Sequence, residues 1–339
     1  MAQRIRIADV AKRAGMSAST VSYVLNEREG VAISADTRVR VLAAAKELGY
    51  VANPVARALR TGRTNTIGLS VAELTQPFSV VLLRHLVGVV EDAGWSTMLR
   101  QCGAEPLDPA ALRESLAVWP VDGVIAQTTP IWVQAFRAVN DSRRLPFVRL
   151  DSQPPNDNGD YIAYGLDCGA QAAARHLVEV GCRRIAFVAP EYGIGPECCR
   201  QGAYLRVMRE SGLPAASINM AANTREGAYQ AVRRQLADGQ RFDGFACYND
   251  DTAVGTIRAL TDAGLRVPRD AAVVGFDGLD EGDYTVPRLT SVRIPLEEVA
   301  ATAWNYLRAR LDHPDAPQQG CTFESKLVLR ESSRLGADL

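Results

Sequence analysis

The sequence predicts an α/β protein in two parts: an all-helical N-terminal head, then a larger core of parallel sheets flanked by helices. Three observations carry this reading. Charge divides at residue 63, with 11 Lys and Arg against 5 Asp and Glu before it and 27 against 34 after it, although the 339-residue chain sums to −1. Apolar residues recur at helical spacing up to residue 50. From residue 66 onward, short apolar runs alternate with helical stretches, as expected of strands joined by crossover helices. With 47% apolar and 23% charged residues, a chain of this length has material for more than one core.

In the head, Ile7, Val10, Ala11 and Ala14 make one apolar helical face, and Gly15 follows as a left-handed end residue. Ser17 is placed to cap a second helix, whose Val21, Val24 and Leu25 face inward. Two short helices around a Gly-containing turn read as a helix-turn-helix or as an ordinary helical hairpin, and the basic charge favours the DNA-binding form. A third helix is expected from its cap Ser34 to Leu48, with Val41, Leu42, Ala45 and Leu48 inward and Gly49 ending it. Asn53-Pro54 then opens a segment over 53–60, with Val55, Ala56 and Leu59 on one face, Arg57, Arg60 and Arg63 around it, and Gly62 closing it. At about eight residues it is shorter than the ~12–15 at which a lone helix becomes marginally stable, so it should form only when something packs on it.

Several function classes are excluded by pattern. The opening Met1-Ala2-Gln3-Arg4-Ile5-Arg6 runs into Asp9 with no apolar signal core, and the most apolar stretch, 78–90, is broken by Arg84 and His85. No membrane association is expected, and the location expected is cytoplasmic. The cysteines at 102, 168, 182, 198, 199, 247 and 321 are odd in number and lack C-x-x-C spacing, which reads as buried free thiols. Histidines 85, 176 and 313 lie far apart, so no metal and no cofactor are expected. G-x-S-x-G, Walker A and G-x-G-x-x-G motifs are lacking, and no enzymatic activity is expected.

The core strands are expected at 66–71, 96–100, 123–126, 147–150, 185–189, 244–248 and 272–276, with helices at 78–93, 168–180, 197–211, 226–237 and 252–263. Over about 275 residues this suits two lobes with a ligand cleft beyond the carboxyl ends of the strands. Polar residues collect there: Gln127, Asp151, Asn249-Asp250 and Asp277 each follow a strand. Such residues supply paired donors and acceptors for hydroxyl groups, although strand-end Asp and Asn also cap helices. Trp132 lies close enough to Gln127 in sequence to be considered with them.

Ile7-Ala8-Asp9-Val10-Ala11, Gly15-Met16-Ser17, Thr20-Val21-Ser22, Leu25-Asn26, Leu48-Gly49-Tyr50 and Val55-Ala56-Arg57-Ala58-Leu59 resemble the N-terminal signature of the lac repressor (LacI–GalR) family, and the likeness runs to Leu327-Val328-Leu329-Arg330-Glu331-Ser332. The resemblance implies a DNA-binding headpiece over 1–63 with a hinge helix at 53–60, and a periplasmic-binding-protein-like effector and dimerisation core over 64–339. Its N-lobe would span about 64–160 and 291–320, and its C-lobe about 161–290 and 321–333. The second helix would enter the major groove, with Ala18, Ser19 and Tyr23 reading bases and Ser17, Thr20, Ser22 and Asn26 on phosphates. Leu59 would wedge into the minor groove, with Asn53 and Ala56 completing the hinge contacts. Ala32-Ile33 lengthens the loop before the third helix by two residues relative to the family pattern.

For the core, the resemblance implies effector contacts at Phe78, Gln127, Asp151, Tyr164, Arg200, Asn249 and Asp277. Arg200 matches through Arg200-Gln201-Gly202-Ala203-Tyr204, with Ala203 where the family pattern has Gly. The expected function is a sequence-specific repressor of carbohydrate uptake or catabolism genes, with a sugar or sugar derivative as effector, a near-palindromic operator as DNA partner and a homodimer as assembly. The dimer, rather than a tetramer, follows from the lack of a leucine heptad near the C-terminus. The alternatives are a purine- or nucleoside-responsive repressor using a corepressor, and a sugar-acting enzyme.

Overall fold

A computed structural model describes residues 5–25, 31–50, 58, 62–101, 108–127, 130–194 and 198–334. The chain divides into two compact units, Met1–Asn65 and Thr66–Leu339.

The first unit is a three-helix head: α1 (Ile7–Ala14), α2 (Ala18–Leu25) and α3 (Ala35–Leu48). Its caps are those the residue types call for. Ser17 Oγ accepts the Thr20 N–H at 3.0 Å, and Ser34 Oγ accepts the Thr37 N–H at 3.2 Å. Gly15 and Gly49 take left-handed φ of 68° and 63°. Val10, Ala11, Ala14, Val21, Val24, Val41, Ala44 and Ala45 form the small core. Leu42 is a correction: it is 48% exposed, because Ala44 takes the inward position of that turn. Ile33, of the two added loop residues, packs against the core, so the longer loop is anchored by an apolar side chain. The hinge segment 53–60 lies almost wholly outside the described residues. Ala58 is helical, and its carbonyl accepts the Gly62 N–H at 2.8 Å.

The second unit holds two six-stranded sheets. The first is ordered β11-β5-β4-β3-β1-β2, from β1 (Thr66–Val71), β2 (Ser96–Gln101), β3 (Gly123–Gln127), β4 (Phe147–Asp151), β5 (Asp160–Ala163) and β11 (Gly320–Thr322). The second is ordered β12-β10-β9-β8-β6-β7, from β6 (Ile185–Pro190), β7 (Ala216–Met220), β8 (Gly244–Cys247), β9 (Ala272–Asp277), β10 (Thr290–Arg293) and β12 (Lys326–Val328). All pairings are parallel except β10 with β12, which pairs Val292 with Leu327 antiparallel. Helices α4 (Pro77–Asp92), α5 (Pro109–Ala117), α6 (Pro130–Arg143) and α11 (Leu296–Asp312) serve the first lobe; α7 (Leu166–Glu179), α8 (Cys199–Glu210), α9 (Arg225–Ala237) and α10 (Asp250–Asp262) serve the second.

β6 and β9 are buried at every position, as parallel strands covered on both faces must be, and so read as continuous apolar runs. The short strands β5, β7, β10, β11 and β12 carry no such run, which is why the sequence pattern does not reveal them. Their placement moves the lobe boundaries. β5 keeps residues to 163 in the N-lobe, β10 keeps 290–293 in the C-lobe, and β11 keeps 320–322 in the N-lobe. The chain thus passes between lobes three times, and the strands of the crossing are packed tightly. A Cβ on Gly165 would stand 2.1 Å from the Phe323 carbonyl oxygen, and Gly165 O accepts the Ser325 hydroxyl at 2.8 Å.

Six cysteines are described, all as free thiols. Cys182 and Cys247 are buried as expected, whereas Cys168 is exposed and Cys198, Cys199 and Cys321 are partly so. Cys102 lies outside the described residues. No helix among the described residues is long and apolar enough to cross a membrane.

Candidate functional site

In the head, Ser17, Ala18 and Ser19 stand exposed at the start of α2, with Thr20, Ser22 and Tyr23 half-buried along it. The exposed start of the second helix of a helix-turn-helix is the part that meets base edges in a major groove. Small side chains at Ala18 and Ser19 leave the aromatic Tyr23 as the largest group of this set. Asn26, Asn53, Ala56 and Leu59 lie outside the described residues.

In the core, the predicted contacts fall into one group on each lobe. On the C-lobe, Arg200 enters from the first turn of α8 and Asp277 from the end of β9. Arg200 Nη2 donates to Asp277 Oδ1 at 3.5 Å, and the guanidinium carbon lies 4.4 Å from the Tyr248 ring centroid and 4.5 Å from that of Phe276. The cation is thus held between two aromatic faces, an arrangement that fixes its plane. Its Nε is buried with no hydrogen-bond partner among the described residues. Burial pushes the Asp277 carboxyl well above its ordinary pKa, against the opposing pull of Arg200, with Asp250 and Asp251 adding to the rise. Burial works against the Arg200 charge, but Tyr248 and Asp277 outweigh it and raise the Arg200 pKa.

Asn249 caps α10 through Oδ1, which accepts the Thr252 N–H at 2.8 Å. The capping role weighed for strand-end Asn is therefore real here. Its Nδ2 is spent elsewhere, on Asn223 Oδ1 at 3.1 Å and on Gln76 Oε1 of the other lobe at 3.4 Å. Gln76 Nε2 in turn donates to the Asn223 carbonyl at 2.8 Å.

On the N-lobe, Phe78 and Tyr164 meet edge to face, with ring centroids 5.6 Å apart at 85°. The Tyr164 hydroxyl is buried with no hydrogen-bond partner among the described residues, and burial, aided by Asp151, raises its pKa far above the ordinary value. A buried donor left without a partner is costly, so this hydroxyl is suited to a polar ligand group. Gln127 Oε1 accepts from the Ala72 N–H at 3.2 Å and the Ser79 hydroxyl at 3.3 Å, and so braces the loop leading to Phe78. Asp151 accepts from Arg149 Nη2 at 2.7 Å and Nε at 3.2 Å. Arg149 also reaches Asp157 at 2.6 Å. Trp132 is a core residue: fully buried, it stacks on Phe136 at 5.0 Å and lies 5.4 Å from Phe147.

Sequence reasoning missed Gln76, Asn223, Tyr248 and Phe276. The two aromatics immediately precede Asn249 and Asp277, so the residue ahead of each strand-end polar group is the signal that could have found them. Asn223 follows β7, a strand the pattern does not reveal. A cavity of about 450 Å³ between α9 and α10, lined by Tyr229, Arg233 and Asp262 among others, contains none of these residues.

Comparison with known proteins agrees with both halves. Residues 6–53 match the family described as "Bacterial regulatory proteins, lacI family", and 174–333 match the "Periplasmic binding protein-like domain". The ribose operon repressor of Halalkalibacterium halodurans is 31% identical over 331 residues, covering 97% of each chain. The transcriptional repressor PurR of Haemophilus influenzae is 30% identical, covering 96% of this chain and 98% of its own. Among solved structures, the lac repressor dimer bound to operator and an anti-inducer superposes with a TM-score of 0.83 at 23% identity, over 98% of this chain and 100% of that one. A ribose-bound regulator from Enterococcus faecium gives 0.71 at 26% identity, over 79% of this chain and 98% of its own. The chain belongs to the lacI family of bacterial regulatory proteins, as a DNA-binding repressor whose operator affinity answers to a small effector held by its two-lobed core.

Proposed function

We propose that the effector is an uncharged sugar bound between the lobes, and that the regulated genes serve carbohydrate uptake or breakdown. The observation that carries this is the Arg200–Asp277 pair beneath Tyr248 and Phe276. The Arg200 guanidinium and the Asp277 carboxyl already engage each other, leaving directional donors and acceptors for hydroxyl groups beside apolar ring faces. Phe78 and the Tyr164 hydroxyl offer the same combination from the N-lobe. The ribose-bound regulator and the ribose operon repressor relative support the class. Flat aromatic faces also suit a nucleobase, which is the second reading.

The cleft carboxylates support a binding role rather than turnover. Asp151 is committed to Arg149, and Asp250 to the Leu279 N–H and the Ser291 hydroxyl. The protein acts in the cytoplasm as a homodimer on a near-palindromic operator. Apolar side chains left exposed support the dimer: Met98 and Leu99 on the edge strand β2, and Tyr284 and Val286, which are 86% and 92% exposed. Effector binding changes how the lobes close, and this forms or melts the 53–60 helices on the operator.

A thermal-shift panel of neutral sugars, sugar phosphates and nucleobases, followed by operator binding with each hit, tests the reading. A shift with neutral sugars supports it. A shift confined to nucleobases replaces it with the corepressor reading, and one confined to sugar phosphates overturns the uncharged class.

A further inference from the structure

Asp277 reaches the cleft from a backbone that resists the conformation it holds. Its φ of +109° lies in a region that favours glycine, and the next residue, Gly278, has φ +68°. A Cβ on Gly278 would stand 2.3 Å from Arg293 Cα. Strained positions persist only where their surroundings over-determine them. Here the backbone polar groups of the turn are held one by one. Gly278 N–H donates to Ser291 Oγ at 3.1 Å, Leu279 N–H to Asp250 Oδ2 at 2.8 Å, and Arg293 Nε to the Gly278 carbonyl at 3.1 Å.

Two of these holds pass through Asp250. Its Oδ2 takes Leu279, and its Oδ1 accepts the Ser291 hydroxyl at 2.5 Å, which aims the Ser291 oxygen at Gly278. This buried carboxylate is not needed to start α10, because Asn249 already caps that helix and Asp251 already puts an acid in its first turn. The strand beside it is cut to fit: a Cβ on Gly275 would stand 2.3 Å from Asp250 Oδ1.

The geometry points to Asp250 as a positioning residue for the effector site. Through Ser291 and Leu279 it clamps the 277–279 turn and so aims the Asp277 carboxylate at Arg200 and the ligand. It touches no ligand itself. The consequence for affinity rests on the effector reading given above, whereas the clamp does not.

The test uses the full chain with Asp250→Ala, Asp250→Asn and Ser291→Ala. Asn keeps the acceptor for Leu279 and turns an amide N–H toward the Ser291 oxygen, which can accept it alongside the Gly278 N–H. Both contacts persist, the second reversed in direction and without the charge. Amide hydrogen exchange of a peptide spanning 277–282 is expected to quicken in Asp250→Ala and in Ser291→Ala, and to stay near the parent rate in Asp250→Asn. Affinity for the neutral sugar that stabilises the parent protein, D-ribose first, is expected to fall about tenfold or more in Asp250→Ala, as the two hydrogen bonds that hold the turn are lost, and to recover in Asp250→Asn. Parent-like exchange in Asp250→Ala, equal exchange in the Ala and Asn variants, or quickened exchange with unchanged affinity each overturns the proposal. Should the parent bind no sugar, the sugar reading falls while the exchange rates still decide the clamp. Should Asp250→Ala fail to fold, Ser291→Ala and Asp250→Asn carry the same comparison.

Discussion

Asn249 and Gln76 belong to opposite lobes, and Asn249 Nδ2 donates to Gln76 Oε1 at 3.4 Å while also donating to Asn223 Oδ1 at 3.1 Å. One amide thus caps a C-lobe helix with its oxygen and reaches the N-lobe with its nitrogen. Gln76 answers with its own donor to the Asn223 carbonyl at 2.8 Å. This pairing of side-chain amides across the cleft favours the closed arrangement of the lobes, and a ligand that prefers the closed form gains from it.

Replacing Gln76 by Ala removes both cross-lobe bonds without touching the cap of α10. Hydrogen bonds at about 1 kcal/mol each translate into sugar binding weakened about five- to thirtyfold. Isothermal titration of the core ligand measures this directly. Unchanged affinity would show that the amides meet without setting closure.

Arg200→Lys keeps the charge but loses the planar group that lies between Tyr248 and Phe276 at 4.4 and 4.5 Å. An ammonium cannot stack on two faces while directing a fork of donors at Asp277. Sugar affinity is expected to drop by about tenfold or more, while operator binding by the ligand-free protein stays at the parent level. Loss of both would point to a misfolded core instead.

The elements legible in the sequence were those with a strong local signal. β6 and β9 announce themselves because strands buried on both faces read as nearly continuous apolar runs, and the head helices because Ser17, Gly15, Ser34 and Gly49 are cap residues at their proper offsets. β7 and β10 are hidden because their few residues mix polar and apolar types, and their pairing is settled by distant neighbours. The same distinction governs the site. Arg200 and Asp277 could be placed from motif and strand end, but Gln76 and Asn223 meet across 147 residues of chain, and no local pattern encodes that meeting. Trp132 shows the converse error: nearness to Gln127 in sequence says nothing about the face of the helix, and its indole packs into the core.

The basic head predicts a steep salt dependence for operator binding, with a log–log slope of about −0.9 for each phosphate neutralised. A flat profile would remove the head as the contact surface. Leu59, which lies outside the described residues, is expected from the family resemblance to wedge a base step, so Leu59→Ser should weaken operator binding and leave sugar affinity intact. Anisotropy with labelled operator and sugar titration on the same preparation separate the two effects.

Asp250 also links stability to pH. Burial raises its carboxyl to about 7 from an ordinary 3.8, even though Ser291, Leu279 and the Arg330 charge pull it down. The groups that face it are Ser291 of β10, the 277–279 turn with the Asp277 carboxyl, Cys247 of β8 and Arg330. With the folded pKa above the unfolded one, the folded state binds an extra proton between pH 4 and 7, and its contribution to stability is lost as pH rises through that window. The melting temperature is therefore expected to fall from pH 5 to pH 8 more steeply in the parent than in Asp250→Asn, which has no carboxyl to titrate. Asp277 shifts in the same direction, so the slope should shrink in the variant rather than vanish. Parallel melting curves for the two proteins across this range would mean that Asp250 is ionised in the folded core without penalty.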